Sequence, residues 1–155
     1  MEAGIVVMGH IGLTPQSSGQ LGGHKAQDRT AETAKLVVQD AVAVQQAGAQ
    51  MILLEAIPPE VGKYITEKLD MPVLSIGAGP HCDGQLLIVS DTIGQFQAFT
   101  PKFVKIYCNV AEMVTNAMKD YAADVRGGRF PGPGHCYNMI AGEEEKFLKL
   151  INADS

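Results

Sequence analysis

The sequence contains no apolar run close to the ~18 residues that a membrane-spanning helix needs, and it does not open on a charged-then-apolar leader. Neither a membrane span nor a secretory signal is therefore expected. Zinc-type CxxC pairs are absent as well. The three cysteines, Cys82, Cys108 and Cys136, are widely spaced and odd in number, which fits a reducing compartment better than a disulfide framework. A cytoplasmic location is expected, or a mitochondrial one if a targeting segment lies upstream. Basic residues are scarce: 12 Lys and Arg stand against 17 Asp and Glu, for a net charge of −5, with no basic cluster. Nucleic acid and anionic membrane surfaces both require concentrated positive charge and are excluded as partners on this ground. What remains is ordinary for one globular α/β core: 155 residues, 46% hydrophobic and 19% charged, with 17 Gly and 8 Pro for tight connections.

The most informative stretch is Met51-Ile52-Leu53-Leu54-Glu55, followed by Ala56-Ile57-Pro58-Pro59. A short continuous apolar run bounded by turn residues reads as a strand buried on both faces, the kind found in parallel sheets flanked by helices. Glu55 then stands at the strand's C-terminal end, where α/β folds gather their functional loops. A carboxylate there is either a solvated or ion-paired strand end, or a partly desolvated general base.

Upstream, Ile5-Val6-Val7-Met8 reads as the first strand, followed by His10 between Gly9 and Gly12. His10 becomes a second polar group at a strand end. It either caps a loop or serves a site. A glycine-rich polar loop runs from Ser17 to Thr30, with Gly22-Gly23 as a hinge, and loops of this length are commonly binding loops or lids. Thr30 then caps a helix over 31–47, with Ala34, Val37, Val38, Ala41 and Val44 at helical spacing. Pro58-Pro59 opens a second helix, with Val61, Tyr64, Ile65 and Leu69 facing inward. Val73–Ile76 is a third strand, running into Gly77-Ala78-Gly79-Pro80, whose glycines let a ligand or another backbone come close. As a phosphate loop this turn is weak, lacking GxGxxG and a Walker lysine.

A fourth strand is expected over Gln85–Val89, with Asp91 at its end as a third carboxylate or as a turn cap. The segment from Gly94 to Lys105 holds Phe96, Phe99 and Phe103, three of the five phenylalanines, and lines a pocket, a subunit contact or plain core. Asn109 and Glu112 suit the cap of a last helix with a stripe of Val110, Met113, Val114, Ala117, Tyr121 and Val125, its methionines read as core filler. The rest is an extended arm with a short polar helix. Four βα units in series, without a dinucleotide-binding first turn, match half of a parallel βα barrel of the TIM type, a fold of about 250 residues. The expected division is 1–127 for the half barrel and 128–155 for the arm and helix. A half barrel would leave two sheet edges open.

Several of these pieces occur together in one family. Val7-Met8-Gly9-His10-Ile11-Gly12-Leu13-Thr14-Pro15-Gln16, Leu21-Gly22-Gly23 with Gln27 and Arg29, Leu53-Leu54-Glu55 with Pro58, Ile76-Gly77-Ala78-Gly79 with Cys82-Asp83-Gly84-Gln85, and Pro101-Lys102-Phe103-Val104-Lys105 run in order from about residue 3 to residue 131. In these pieces the sequence resembles the ketopantoate hydroxymethyltransferases, and specifically their C-terminal half.

That resemblance implies an enzyme of pantothenate and coenzyme A biosynthesis. It would transfer a hydroxymethyl group from methylenetetrahydrofolate to α-ketoisovalerate, with Mg²⁺ binding the keto acid. It assigns the general base to Glu55 and substrate contacts to His10, Gly77 and Gly79. The family's Mg²⁺ carboxylates and keto-acid lysine come from its first barrel half, so no metal ligand is assigned in this sequence. Asp28 stands where the family has glycine, and Ala56 where cysteine is common. The partners implied are the two small-molecule substrates, together with a complementing N-terminal half or further copies in a homo-oligomer. Two alternatives stand beside this reading: a non-catalytic half barrel that oligomerises through its open edges, and a flavodoxin-like domain holding phosphate at the Gly77 turn.

Overall fold

A computed structural model of the chain describes residues 4–14 and 29–153. Contacts divide it into two compact units, Met1–Val110 and Ala111–Ser155. The boundary expected at 127 falls inside the second unit.

The first unit contains a four-stranded sheet in the order β1-β2-β3-β4, every neighbouring pair parallel. The strands are β1 (Met8–Gly12), β2 (Met51–Glu55), β3 (Val73–Ile76) and β4 (Gly84–Gln85). Helix α1 (Ala31–Gln46) connects β1 to β2, and α2 (Pro59–Lys68) connects β2 to β3. The short α3 (Val89–Thr92) follows β4. The α/β class and the parallel sheet are thus as the sequence indicates.

Alternation along the strands sorts the side chains onto two faces. Ile11, Ile52, Leu54 and Val73 point to the helices and form the core with Val37, Ala41 and Ile65. Ile52, Leu54, Ile65 and Val73 are fully buried. Met8, His10, Leu53, Glu55, Leu74 and Ile76 lie on the opposite face, which no helix of this unit covers to the same degree: Met8 is exposed, while His10 and Leu74 are half-buried. Ser75 is the one buried polar residue among those described, and its hydroxyl accepts a hydrogen bond from the Ala78 amide at 2.9 Å, which fixes the turn after β3.

Local chemistry accounts for the helix boundaries. Thr30 caps α1 in a reciprocal arrangement, its hydroxyl accepting from the Thr33 amide while the Thr33 hydroxyl accepts from the Thr30 amide. Pro59 occupies the first turn of α2, where its missing N–H costs nothing. Tyr64, expected to face inward, is 54% exposed. The inward position is taken instead by Gly62, where a Cβ would collide with the Ala78 carbonyl oxygen, so α2 packs at backbone distance against the β3 turn.

Both outer strands differ from their expected bounds. The first strand is Met8–Gly12 and not Ile5–Met8, because Gly9 belongs to the ladder: its lack of a side chain makes room for Val44 of α1. His10 therefore sits within the strand and not beyond its end. The fourth strand is two residues long, not five. Its partner β3 stops at Ile76, so after the Leu86 amide bonds the Ser75 carbonyl at 2.8 Å there is no further ladder to join. Ser90 and Asp91 consequently stand in α3 and not at a strand end. Asp83 is used structurally: its carboxylate accepts from the Val73 amide at 2.8 Å, while its own amide donates to the Val73 carbonyl at 2.9 Å. The loop expected over 17–30 lies outside the described residues except for Arg29 and Thr30.

The second unit carries most of α4 (Val110–Arg126), a 3₁₀ turn (Pro133–His135) and α5 (Glu143–Ala153). Phe130 packs on the Tyr121 ring at 5.6 Å and on His135 at 5.1 Å, tying the arm to α4. The stripe along α4 is not core. No residue of this helix is buried, and Met113, Met118 and Tyr121 are all exposed. Amphipathic spacing predicts that such a face needs cover but does not say from where.

Two substitutions test this packing. Leu54→Ala, in a fully buried position, should cost about 2–5 kcal/mol, read as a lowered urea midpoint with an unchanged slope. Gly12 has φ +88, and a Cβ there would overlap the Glu55 carbonyl oxygen. Gly12→Ala should therefore destabilise by about 2–4 kcal/mol, from left-handed strain plus overpacking; a loss below ~0.5 kcal/mol in the same titration would show that the strand end relaxes freely.

Candidate active site

Glu55 is the last residue of β2, and its carboxylate is 12% exposed on the inner face of the sheet. Its Oε2 lies 2.9 Å from Nε2 of His10 on the neighbouring strand. The register brings the two together: Gly12 is the ladder partner of Glu55, and His10 is two residues earlier on the same face. Against an ionised carboxylate, Nε2–H donates to one carboxylate oxygen and leaves the other unheld by His10.

The backbone around Glu55 is held from both sides. Its carbonyl accepts from the Leu13 amide at 2.9 Å, and the next amide, of Ala56, donates to the Ile76 carbonyl at 3.0 Å. Ala56 adopts φ 52, a left-handed conformation that costs a non-glycine residue about 1–2 kcal/mol. The chain turns away at that point, and the carboxylate is left at the rim of a cleft.

This cleft has a volume of about 510 Å³. Leu13, Ala56, Ile76, Ile88, Phe96, Phe99, Pro101 and Phe103 give it an apolar lining, while Glu55, Ser90, Asp91, Thr100 and Lys102 supply the charged and hydroxyl groups. A concave apolar site with a few convergent polar groups is the usual form of a small-molecule site. The phenylalanine-rich segment thus lines a pocket. Its clustering was the available signal; Leu13 and Lys102 were marked only by lying in stretches shared with the family, and Ser90 by nothing that singled it out.

Gly77 and Gly79 are placed elsewhere. Gly77, φ +79, lies under the Phe103 ring, and Gly79, φ +87, lies against Pro59. Both border a second cleft of about 450 Å³ with Gln85, Leu86 and Leu87. Phe103 lines both clefts. The structure therefore unites His10 with Glu55 and sets the glycine turn on the far side of Phe103.

Among the described residues, no three His, Cys, Asp or Glu side chains come together in a way that could hold a metal ion. Glu55 is paired to His10 and Asp83 closes a turn. The described residues do not by themselves assemble a Mg²⁺ site. No helix among the described residues is long and apolar enough to cross a membrane.

Comparison with known proteins identifies the family. Residues 1–133 match the family model for ketopantoate hydroxymethyltransferase. The 3-methyl-2-oxobutanoate hydroxymethyltransferase of Alkaliphilus metalliredigens is 62% identical over 150 residues, which is 97% of this chain and 52% of that protein. The protein of the same name from Syntrophomonas wolfei is 48% identical over 139 residues, 90% of this chain and 50% of its own length. A third, from Syntrophobacter fumaroxidans, is 47% identical over 150 residues, covering 97% of this chain and 53% of the relative. The chain spans about half the length of the curated relatives it matches. With a transferase family matched along most of its length, this chain belongs to the ketopantoate hydroxymethyltransferases.

Proposed function

We propose that this chain is the base-bearing half of a TIM-type parallel βα barrel, and that Glu55 removes the C3 proton of α-ketoisovalerate during hydroxymethyl transfer from methylenetetrahydrofolate. One observation carries the proposal: a carboxylate held by His10 at 2.9 Å at the rim of an apolar cleft of about 510 Å³. The barrel reading is supported by four parallel strands in sequence order and by relatives about twice as long.

The chemistry follows from the placement. The carboxylate oxygen of Glu55 that His10 does not hold accepts the C3 proton. The C–H electron pair moves into a C2–C3 double bond, and negative charge collects on the C2 oxygen. Water cleaves the two C–N bonds of the donor's methylene group, both nitrogens leaving protonated, and releases the one-carbon unit as formaldehyde. The nucleophilic C3 then adds to the carbonyl carbon of the formaldehyde, whose oxygen takes a proton and becomes the product hydroxyl. His10 orients the base before the reaction, and its protonatable ring is placed to donate to charge that develops near the new hydroxymethyl group. Gly77 and Gly79 are kept as substrate-contacting positions, their bare backbone facing the second cleft.

A second reading draws on a different observation. Ile5, Val6, Val7 and Met8 are exposed along the β1 edge, Ile5 by 66% and Val6 by 69%. An uncovered apolar edge invites pairing with another chain, so the protein could act as a non-catalytic, self-associating half barrel.

Deuterium exchange at C3 of α-ketoisovalerate separates these readings, measured on the chain alone and mixed with the N-terminal half of a relative. Exchange that appears in the mixture and falls about 10²–10⁴-fold in Glu55→Gln supports the base assignment. In the same assay His10→Gln should lose about ten- to a hundredfold, the worth of a hydrogen bond to a charged group. No exchange in either sample, together with an obligate dimer in sedimentation, overturns the enzymatic reading in favour of the second.

A further inference from the structure

Two clefts meet at one ring. The cleft beside Glu55, of about 510 Å³, and the cleft beside the glycine turn, of about 450 Å³, run along opposite sides of the same two stretches of chain: Ile76 lines the first and Gly77 the second, Ile88 the first and Leu87 the second. Phe103 is the one residue that lines both. The two spaces differ in chemistry. Glu55, Asp91 and Lys102 put charge into the first, whereas no charged side chain lines the second. Pro80, Leu86 and Leu87 give the second cleft apolar surface, and the Gln85 carboxamide donates to the Gly79 carbonyl oxygen at 3.0 Å.

The half-buried Phe103 is held from both ends. The Val104 amide donates to the Pro101 carbonyl at 3.0 Å, a turn that carries Lys102 and Phe103 at its corner, and the chain beyond is tied to α3 by the Tyr107 amide on the Thr92 carbonyl at 2.8 Å. On the far side the ring occupies the space that a side chain at position 77 would fill, since a Cβ on Gly77 would run into it. A glycine is what allows so close an approach. The ring is therefore seated, and it stands as a wall between a charged cleft and an apolar one.

A wall in an apolar cleft sorts ligands by length. One methylene too many against such a wall is rejected by about 10–200-fold. Open space behind it would instead bind each added methylene about fourfold more tightly.

We infer that Phe103, seated on Gly77, is a specificity-determining residue: its ring ends the Glu55 cleft and keeps the apolar chain of a keto acid out of the second cleft, so that short branched acids are favoured over long unbranched ones. The identity of the acid rests on the reading of Glu55 as the base; the partition does not. Gly77 serves the wall through its missing side chain, apart from any backbone contact it makes with substrate.

Octan-1-ol, neutral and unbranched, probes the partition in the full chain by NMR of its isoleucine and leucine methyl groups. In the wild type it should shift Ile76 and Ile88 and leave Leu86 and Leu87 unmoved. In Phe103→Ala all four should shift, with affinity raised about tenfold, the worth of one to two methylenes. Phe103→Leu keeps an apolar side chain without the ring, should fall between the two, and decides the matter if the alanine variant does not fold. Movement of Leu86 and Leu87 in the wild type, their silence in the variants, or no saturable shift at Ile76 in any of these proteins overturns the partition. In the exchange assay on the chain mixed with the N-terminal half of a relative, the rate ratio of 2-oxooctanoate to α-ketoisovalerate should rise about tenfold or more in Phe103→Ala. The two failures are distinct. Octanol that crosses only when the ring is gone, in a protein without exchange, keeps the partition and removes Glu55 as base; Glu55-dependent exchange with an unchanged rate ratio keeps the base and removes Phe103 as the specificity determinant.

Discussion

Everything in the first unit depends on β2 being hydrogen-bonded on both sides. Its backbone pairs with β1 and with β3, so Ile52 and Leu54 can be buried under α1 and α2 without leaving any polar backbone group unsatisfied. The same ladder places Glu55. A carboxylate next to a buried apolar run would be costly on a mobile loop, where it would turn to water. Here, the Leu13 bond to its carbonyl, the Ala56 bond to Ile76 and the His10 contact leave it little freedom. Packing and placement are therefore served by one set of backbone bonds, which is why the Glu55 carboxylate can be both largely buried and fixed in position.

Much of this was legible in the sequence, and the reasons are specific. Met51–Glu55 is a short apolar run between turn residues, a pattern that few structures other than a central parallel strand satisfy, and it appears at those bounds. Thr30 and Pro59 mark helix starts by local hydrogen bonding, which requires no knowledge of the tertiary fold. The edge strands were less legible. Gly9 and Gly12 read as turn residues, yet Gly9 is in the ladder because Val44 needs its space, and that is a fact about a helix more than thirty residues away. Likewise Gln85–Val89 has the composition of a strand, but strand length depends on a partner, and β3 ends too soon.

The site divides in the same manner. Glu55 could be singled out because a charge ending an apolar strand conflicts with its surroundings. The pairing of Glu55 with His10 could not be read directly, since it depends on which residue of β1 faces which residue of β2. Phe96 and Phe99 were visible as a cluster and Asp91 as a strand-end carboxylate or turn cap, but not as neighbours in one cleft, because the chain that brings them there runs through α3, an element of four residues with no periodicity to detect. The apolar stripe on α4 was correctly seen as a stripe. Burial was wrongly inferred from it, because amphipathicity records that a face is to be covered and is silent on what covers it.

The parallel register between β1 and β2 also bears on how this sequence can change length. Side chains in a strand alternate between faces, so inserting or deleting one residue between Met8 and Gly12 would rotate His10 to the helix side and bring Ile11 toward Glu55. Val44 would lose the gap at Gly9 at the same time. Point substitutions at these positions can be graded in their effect, whereas a change of a single codon in length exchanges the two faces outright. Indels in this lineage should accordingly be confined to the connections, leaving the five residues of β1 constant in number even where their identities drift.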